Sequence, residues 1–498
     1  MSIIKAHRSL INTLLFIALT SLFVPLIAQE GNPLSRAEME EDLAHLTTAL
    51  LEVHPGLNYY ESSRELPTLI AKIRESLPET ASQLEFLYHI APIIDATKCG
   101  HTGFNIKSRK KTLGLFQKDI PGLFPLQLKI VEGFTFVKKN LSTDTLGLRD
   151  QMQLLTINGI AIDEILLLLS NLNLGSDGNN RLGEINFITK YFMLAYHMFF
   201  GPQEGFVLEL RDLVNKKVTK VNIASGSLKD LRQRRLDRYP ALGLAPIQLR
   251  RIEGMPKSAV LDVNTFTNNR IDLFQLGYNR KIKKIFKILK KEEIAYLIMD
   301  LRNNPGGVVE NVVRLMKYTY DEPFAIAGDV SLNRDFFKSE VGFFKKMGMR
   351  FRRKKKQADN IVLKRFSNKR YKPKKRNRFD GMIIILVDEG SFSAACTYAL
   401  HAKSRNRAFL IGEEAGGSYH IVSAGDSFNC KLKNADISVR IPLMLFEYNV
   451  QQDLQSKLKG VVPNIIKHQK IEDFMNGKDT QMEAAVELVR LHQQREKE

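Results

Sequence analysis

From Ala37 to Leu57 the chain reads AEMEEDLAHLTTALLEVHPGL, with apolar residues three and four apart, and the same spacing returns between Glu65 and Ala96. That spacing puts apolar side chains on one face of a helix, and Pro55-Gly56 breaks the run between the two segments. A small helical region ending near His101 is expected. From Pro125 the period changes: QLKIVEG and FTFVKKN are short alternating runs, and LGLRDQMQLLTINGIAIDEILLLLSNL adds strands, an Asn158-Gly159 turn and a helix. A small β-rich module fits 120–225. The stretch DLFQLGYNRKIKKIFKILKKEEIAYLIMDLRNNPGG then predicts an amphipathic helix feeding a buried strand at Tyr296–Leu301 and a Gly-rich turn. GMIIILVDEG predicts a second buried strand, a helix follows from about Phe392 to Ser404, and RAFLIGEE predicts a third strand. Strand, helix and strand in this order imply right-handed crossovers and a mainly parallel sheet.

Length changes this picture little, since 498 residues at 44% hydrophobic composition suffice for two or three cores. The first residues change it more. In MSIIKAHRSLINTLLFIALTSLFVPLIAQEG, Lys5 and Arg8 precede an apolar run that ends in small residues at Ala28. This is the layout of an export signal, expected over 1–28, with an uncleaved anchor as the other reading. No later segment is apolar enough to span a bilayer, so a periplasmic or secreted protein without a transmembrane segment is expected after cleavage. Cys99, Cys396 and Cys430 form no CxxC and show no metal-ligand spacing. Free thiols are expected, with no metal and no cofactor.

The formal charge of +20 is concentrated. Between Lys345 and Arg378 there are 17 Lys or Arg against one acid, Asp359, so 17 − 1 = 16 of the 20 net charges lie in one stretch. Such a block reads as a solvated basic insertion, here 329–380, that offers contact with anionic lipid, lipopolysaccharide or an acidic partner. The rest of the chain is nearly neutral, which argues against nucleic acid.

Candidate chemistry centres on GSFSAACTYALHAKSRNRAFLIGEEAGGSYH, residues 390–420. A serine between a buried strand and a helix presents its hydroxyl at a sheet edge, where the helix N-terminus offers unpaired N–H groups to developing negative charge. Ser391 or Ser393 can equally well be a helix cap, and the turn alone does not decide between the two uses. Upstream, DLRNNPGG at 300–307 ends a neighbouring strand in two glycines whose N–H groups can line an oxyanion pocket.

Taken in order, LIMDLRNNPGG, SFSAAC, FLIGEEAGG, IPL and GVVPN resemble the C-terminal processing, or tail-specific, serine protease family, whose relatives include the tricorn core protease and retinoid-binding proteins. The resemblance covers Pro240 to about Arg490 and, more loosely, the segments upstream. It implies a multidomain α/β protein: a helical N-terminal region at 34–118, a PDZ-like module at 120–225 and a crotonase-like catalytic core at 240–490 with a mainly parallel sheet. Its substrate would be a polypeptide. By position the resemblance makes Ser393 the nucleophile and Ser391 a turn residue, with the N–H groups of Gly306, Gly307 and Ala394 as the oxyanion hole. Cys396 stands where the family usually has an acid.

The base departs further. The bacterial processing branch uses a lysine where this chain has Ser418, and Lys403, ten residues past Ser393 on the predicted helix, is too far along to replace it. The tricorn-like branch uses a histidine from before the PDZ-like module, which maps to His101 in DATKCGHTGF, with His420 as the rival. An imidazole near its ordinary pKa suits a base at neutral pH. For the orienting carboxylate the resemblance points to Glu447 in IPLMLFEYNVQQD, with Asp453 or Asp426 as substitutes. The reading is an exported serine endopeptidase. The alternative is a noncatalytic relative that binds a peptide or a hydrophobic small molecule.

Overall fold

The computed structural model describes residues 33–496 apart from 61, 107–118, 145–146, 171–175, 179, 240–244, 269–275, 351–352, 357–359, 365–366 and 451–458. The expected export signal and Asp453 lie outside the described residues. Two unbroken apolar runs become neighbouring strands, Tyr296–Asp300 and Met382–Val387, at the centre of a six-stranded sheet. Its order is Ile247–Arg251, Ser258–Val263, Tyr296–Asp300, Met382–Val387, Phe409–Gly412, Ile465–Ile466. Every pairing is parallel except that of the first two strands.

Both faces of this sheet are covered, which is why its strands read as unbroken apolar runs. Leu297, Met299, Ile383 and Ile385 pack with helices Leu276–Lys291, Val309–Thr319 and Ala394–Ser404. Ile298, Ile384, Leu386 and Ile411 pack against Ala485 and Val489 of helix Thr480–Arg495 on the other face. The carboxyl ends of the two central strands open into the Asn-Asn-Pro-Gly-Gly turn and the serine turn, the end of an open parallel sheet where ligands bind.

Upstream, helices Arg36–Val53 and Gln83–Ala96 each start in a capping box, Ser35 with Glu38 and Ser82 with Glu85. The middle segment forms an antiparallel sheet of Leu126–Val131, Phe134–Asn140, Gln153–Ile157, Gly205–Arg211 and Val218–Ala224, with Ile160–Ala161 paired to Gln153–Ile157. Asn158 and Gly159 both take positive φ, 51° and 82°, as a two-residue hairpin turn requires. A third sheet, also antiparallel, runs Arg353–Lys356, Asn360–Leu363, Val330–Asn333, Ile437–Glu447, Ile421–Leu432. The strand Gly103–Ile106 joins it, with Gly103 opposite Arg440 and Ile106 opposite Ile437. The N-terminal helices, the middle sheet and this third sheet share one apolar core.

The basic segment corrects the sequence-based expectation. It is woven into the third sheet, where Ile361, Val362 and Leu363 are buried and Met349 seals the core below. Its charges stay outside, with Lys345, Arg350, Lys364, Lys369, Lys372, Lys374 and Lys375 all exposed. A four-residue apolar strand was masked by the cations around it. The three cysteines are free and buried. Among the described residues no helix is long and apolar enough to cross a membrane.

Candidate active site

Ser393 sits at the N-cap position of helix Ala394–Ser404 but caps nothing, since its side chain makes no bond to the helix N–H groups. Its backbone is held at φ 53° and ψ −118°, a conformation that costs an L-residue of order 1–3 kcal/mol and persists only where the surroundings enforce it. Such a strained strand-to-helix turn pushes a serine hydroxyl out at the top of a sheet. The enforcement comes from both neighbours. Ser391 is buried and donates from Oγ to the Leu301 carbonyl at 2.8 Å, and its Oγ accepts from the Asp388 N–H at 3.1 Å. The Phe392 N–H donates to the Asn304 carbonyl at 2.9 Å.

The Gly-rich turn touches the serine turn directly. A Cβ on Gly306 would stand 2.7 Å from Ser393 Cβ and 2.8 Å from Ala394 N, so only glycine allows the approach. Gly306 was expected to be an oxyanion donor, but its N–H is already given to Asn304 Oδ1 at 2.9 Å. Asn304 is fully buried and also donates from Nδ2 to the Val263 carbonyl at 2.7 Å, which locks the turn. The N–H groups of Gly307 and Ala394 donate to nothing among the described residues, and Ala394 opens the helix whose dipole favours an anion there.

His101 reaches this turn from the other end of the chain. It lies between helix Gln83–Ala96 and strand Gly103–Ile106, whose pairing with Ile437–Glu447 fixes where the preceding turn points. His101 Nε2 is 3.0 Å from Ser393 Oγ across 292 residues of sequence, and its ring lies 4.7 Å from that of Phe392. The expectation of an ordinary imidazole is corrected. Burial, aided by the Arg440 charge, pushes His101 down to about 3, so the resting ring is neutral with a lone pair for the serine proton.

The remaining candidates fall elsewhere. Glu447 ends its strand exposed, seven residues past the Arg440 that faces Gly103, and it makes no hydrogen bond to His101, whose buried Nδ1 has no partner. Asp426 is exposed beside Lys345 at 3.8 Å. Lys403 donates to the Val462 carbonyl at 2.7 Å, and among the described residues neither it nor His420 bonds Ser393. Ser418 is buried with its N–H on Asp177 Oδ2 at 3.3 Å. Cys396 donates from Sγ to the Gly417 carbonyl at 3.2 Å, a place where a carboxylate would face an oxygen.

Sequence reasoning missed Asn304, Asp388 and Asp177. Asp388 accepts from Asn303 N and Nδ2 at 2.7 and 2.9 Å and braces the two turns against each other. Asn304 was legible within NNPGG only as part of a motif. Asp177, in SDGN, reads as one more turn residue.

Residues 257–466 match the model of peptidase family S41. No curated protein matches the chain in sequence. Among solved structures, mature CPAF superposes with a TM-score of 0.61 at 15% identity, covering 88% of this chain and 94% of that one. Mature CPAF complexed with lactacystin superposes with a TM-score of 0.64 at 15% identity, covering 92% and 98%. At this identity the likeness is one of fold.

Proposed function

We propose that this chain, whose residues 257–466 match the model of peptidase family S41, is a serine-type peptidase that cleaves polypeptides internally through an acyl-enzyme on Ser393 with His101 as general base. The observation that carries the reading is the 3.0 Å contact between His101 Nε2 and the Oγ of a strained, non-capping Ser393. As Ser393 Oγ bonds to the scissile carbonyl carbon, its proton passes to Nε2, and the carbonyl oxygen gains negative charge facing the Gly307 and Ala394 N–H groups. His101 then returns the proton to the leaving amine, and water repeats the sequence on the ester.

The test is labelling by a fluorophosphonate probe. Wild type is expected to label, and Ser393→Ala and His101→Ala are expected not to. A folded wild type that fails to label returns the chain to the noncatalytic binder. Lactacystin, which is bound in a structure of mature CPAF, is expected to compete with the probe. The leader pattern supports export to the periplasm or medium, which N-terminal sequencing of the mature protein checks. The 120–225 segment is read as a PDZ-like module, which either accepts an extended peptide as an added strand or has only a structural or gating role. The exposed lysines of 345–378 support adsorption to anionic vesicles that fades as salt rises.

A further inference from the structure

We infer that Asp177 is the positioning carboxylate of His101, the part that the sequence pattern assigns to Glu447; the inference rests on the Ser393–His101 reading above. His101 spends Nε2 on Ser393 and leaves Nδ1 buried and unpartnered. A carboxylate oxygen of Asp177, a ring nitrogen of His101 and Cys99 Sγ all lie within 4.8 Å of one another. Catalytic hydrogen bonds are often long or poorly aligned in a resting enzyme and tighten once substrate is bound.

Asp177 is held there by the loops that build the site. Its Oδ1 accepts from Gly100 N at 2.9 Å, on the turn that carries His101, and its Oδ2 accepts from Ser418 N at 3.3 Å, on the Gly-rich turn beside Cys396. Its own N–H donates to the Gly416 carbonyl at 3.0 Å, and Gly178 N donates to the Lys98 carbonyl at 2.9 Å. The fit is close enough that a Cβ on Gly100 would stand 2.5 Å from Ser176 N.

The charges around it single out one partner. Tyr60, Tyr448, Cys99 and Cys396 surround the carboxylate, and burial pushes all four up, the two thiols to about 12, so they are neutral at pH 7. Arg440 acts on His101. Among the described residues no lysine or arginine offsets Asp177, whose carboxyl burial raises to about 7. A lone carboxylate and a lone imidazolium are both disfavoured here, and each is relieved by the other. During acylation Nδ1–H donates to the Asp177 carboxylate, Nε2 takes the proton of Ser393, and Asp177 stays ionised beside the imidazolium. The tautomer is the one this hydrogen bond selects.

The test compares Asp177→Asn in wild-type and His101→Ala backgrounds, reading kcat and KM on a peptide and the rate of fluorophosphonate labelling. We expect kcat to fall about 10⁴-fold with KM little changed in the first background, and the residual rate to be hardly altered in the second, because a residue acting through His101 has nothing left to position. Equal losses in both backgrounds would show that Asp177 only supports the loops, and a near-normal rate would also overturn the inference. A normal rate in His101→Ala itself fails the underlying Ser393–His101 reading, and the inference with it. Should Asp177→Asn not fold, the phosphonylated wild type decides: a far-downfield ring N–H proton resonance is expected, shifted in Asp177→Glu. An adduct without that resonance overturns the assignment.

Discussion

Two sheets meet at Ser393, and they position their residues by opposite means. The parallel sheet places Ser393, Gly307 and Ala394 through turns that directly follow its own central strands, and all of its elements fall between Ile247 and Ile466, apart from the covering helix Thr480–Arg495. The antiparallel sheet places His101 through a strand near residue 105 paired with one near residue 438, with Asn360–Leu363 of the basic segment two strands further out. In the first sheet the geometry is local and each turn is stiffened by its own side chains, Ser391, Asn304 and Asp388. In the second it depends on long-range pairing, so damage far from the serine should reach His101 while leaving Ser393 in place.

The sharpest break of this comparison removes one reacting group from each side. Ser393→Ala and His101→Ala should each lower kcat on the order of 10⁶-fold, and the double variant should be hardly worse than either, which steady-state kinetics on a peptide will show. Next is the approach between the turns. Gly306→Ala forces a Cβ to 2.7 Å from Ser393 Cβ at φ 91°, and a displacement of that kind should cost about 100-fold in kcat. The expected signature is lost activity together with a lowered melting temperature, since the clash is with backbone atoms of a buried turn, Ala394 N and the Phe392 carbonyl both at 2.8 Å.

A smaller effect is expected from the far edge of the antiparallel sheet. Leu363 is fully buried, so Leu363→Ala should lower stability by about 2–5 kcal/mol in urea unfolding. Deletion of Lys345–Arg378, which a solvated insertion would tolerate, should instead destabilise the fold. Labelling of Ser393 should fall with it as His101 loses its register.

Acid should act on both regions. Burial lowers His54 and His101 to about 3 and His401 to about 4, against an ordinary 6.5, so these groups contribute stability above pH 6.5 that is lost as pH falls toward 4 and 3. Asp177, raised to about 7, has the opposite sign: its contribution is complete below its ordinary 3.8 and is lost as pH rises through about 7. Each of these three histidines should contribute a rise in stability of up to about 1.4 kcal/mol per pH unit between pH 4 and 6.5, opposed in that window by Asp177 and by Glu389, which burial raises to about 9. His401→Asn keeps a donor for the Ile326 carbonyl that His401 meets at 2.7 Å, and it should flatten that slope. The smallest expected effect is that of Glu447→Gln, which should leave kcat within a few-fold of wild type. A large loss would mean that Glu447 reaches His101 once substrate is bound.

What the sequence determined by itself was whatever repeats within a few residues. Buried strands show as unbroken apolar runs, helices as three- and four-residue spacing, the 158–159 hairpin as Asn-Gly, and the two turns of the candidate site as NNPGG and SFSAAC. The family resemblance, carried over by position, further pointed to Ser393 and to His101, with His420 as its rival. Only the tertiary structure decided what depends on remote partners. It set His101 against Ser393 across 292 residues, gave the Gly306 N–H to Asn304 and left Glu447 apart from the imidazole. It also brought an Asp177 oxygen within 4.8 Å of a ring nitrogen of His101 and buried Ile361, Val362 and Leu363 of the basic segment. The physical reason is that a hydrogen bond or a burial free energy belongs to a pair of groups, and the sequence displays only one member of each pair at a time. For the same reason the pKa of His101 was out of reach of the sequence: an imidazole has its ordinary value until the fold decides how much water and how much charge surround it.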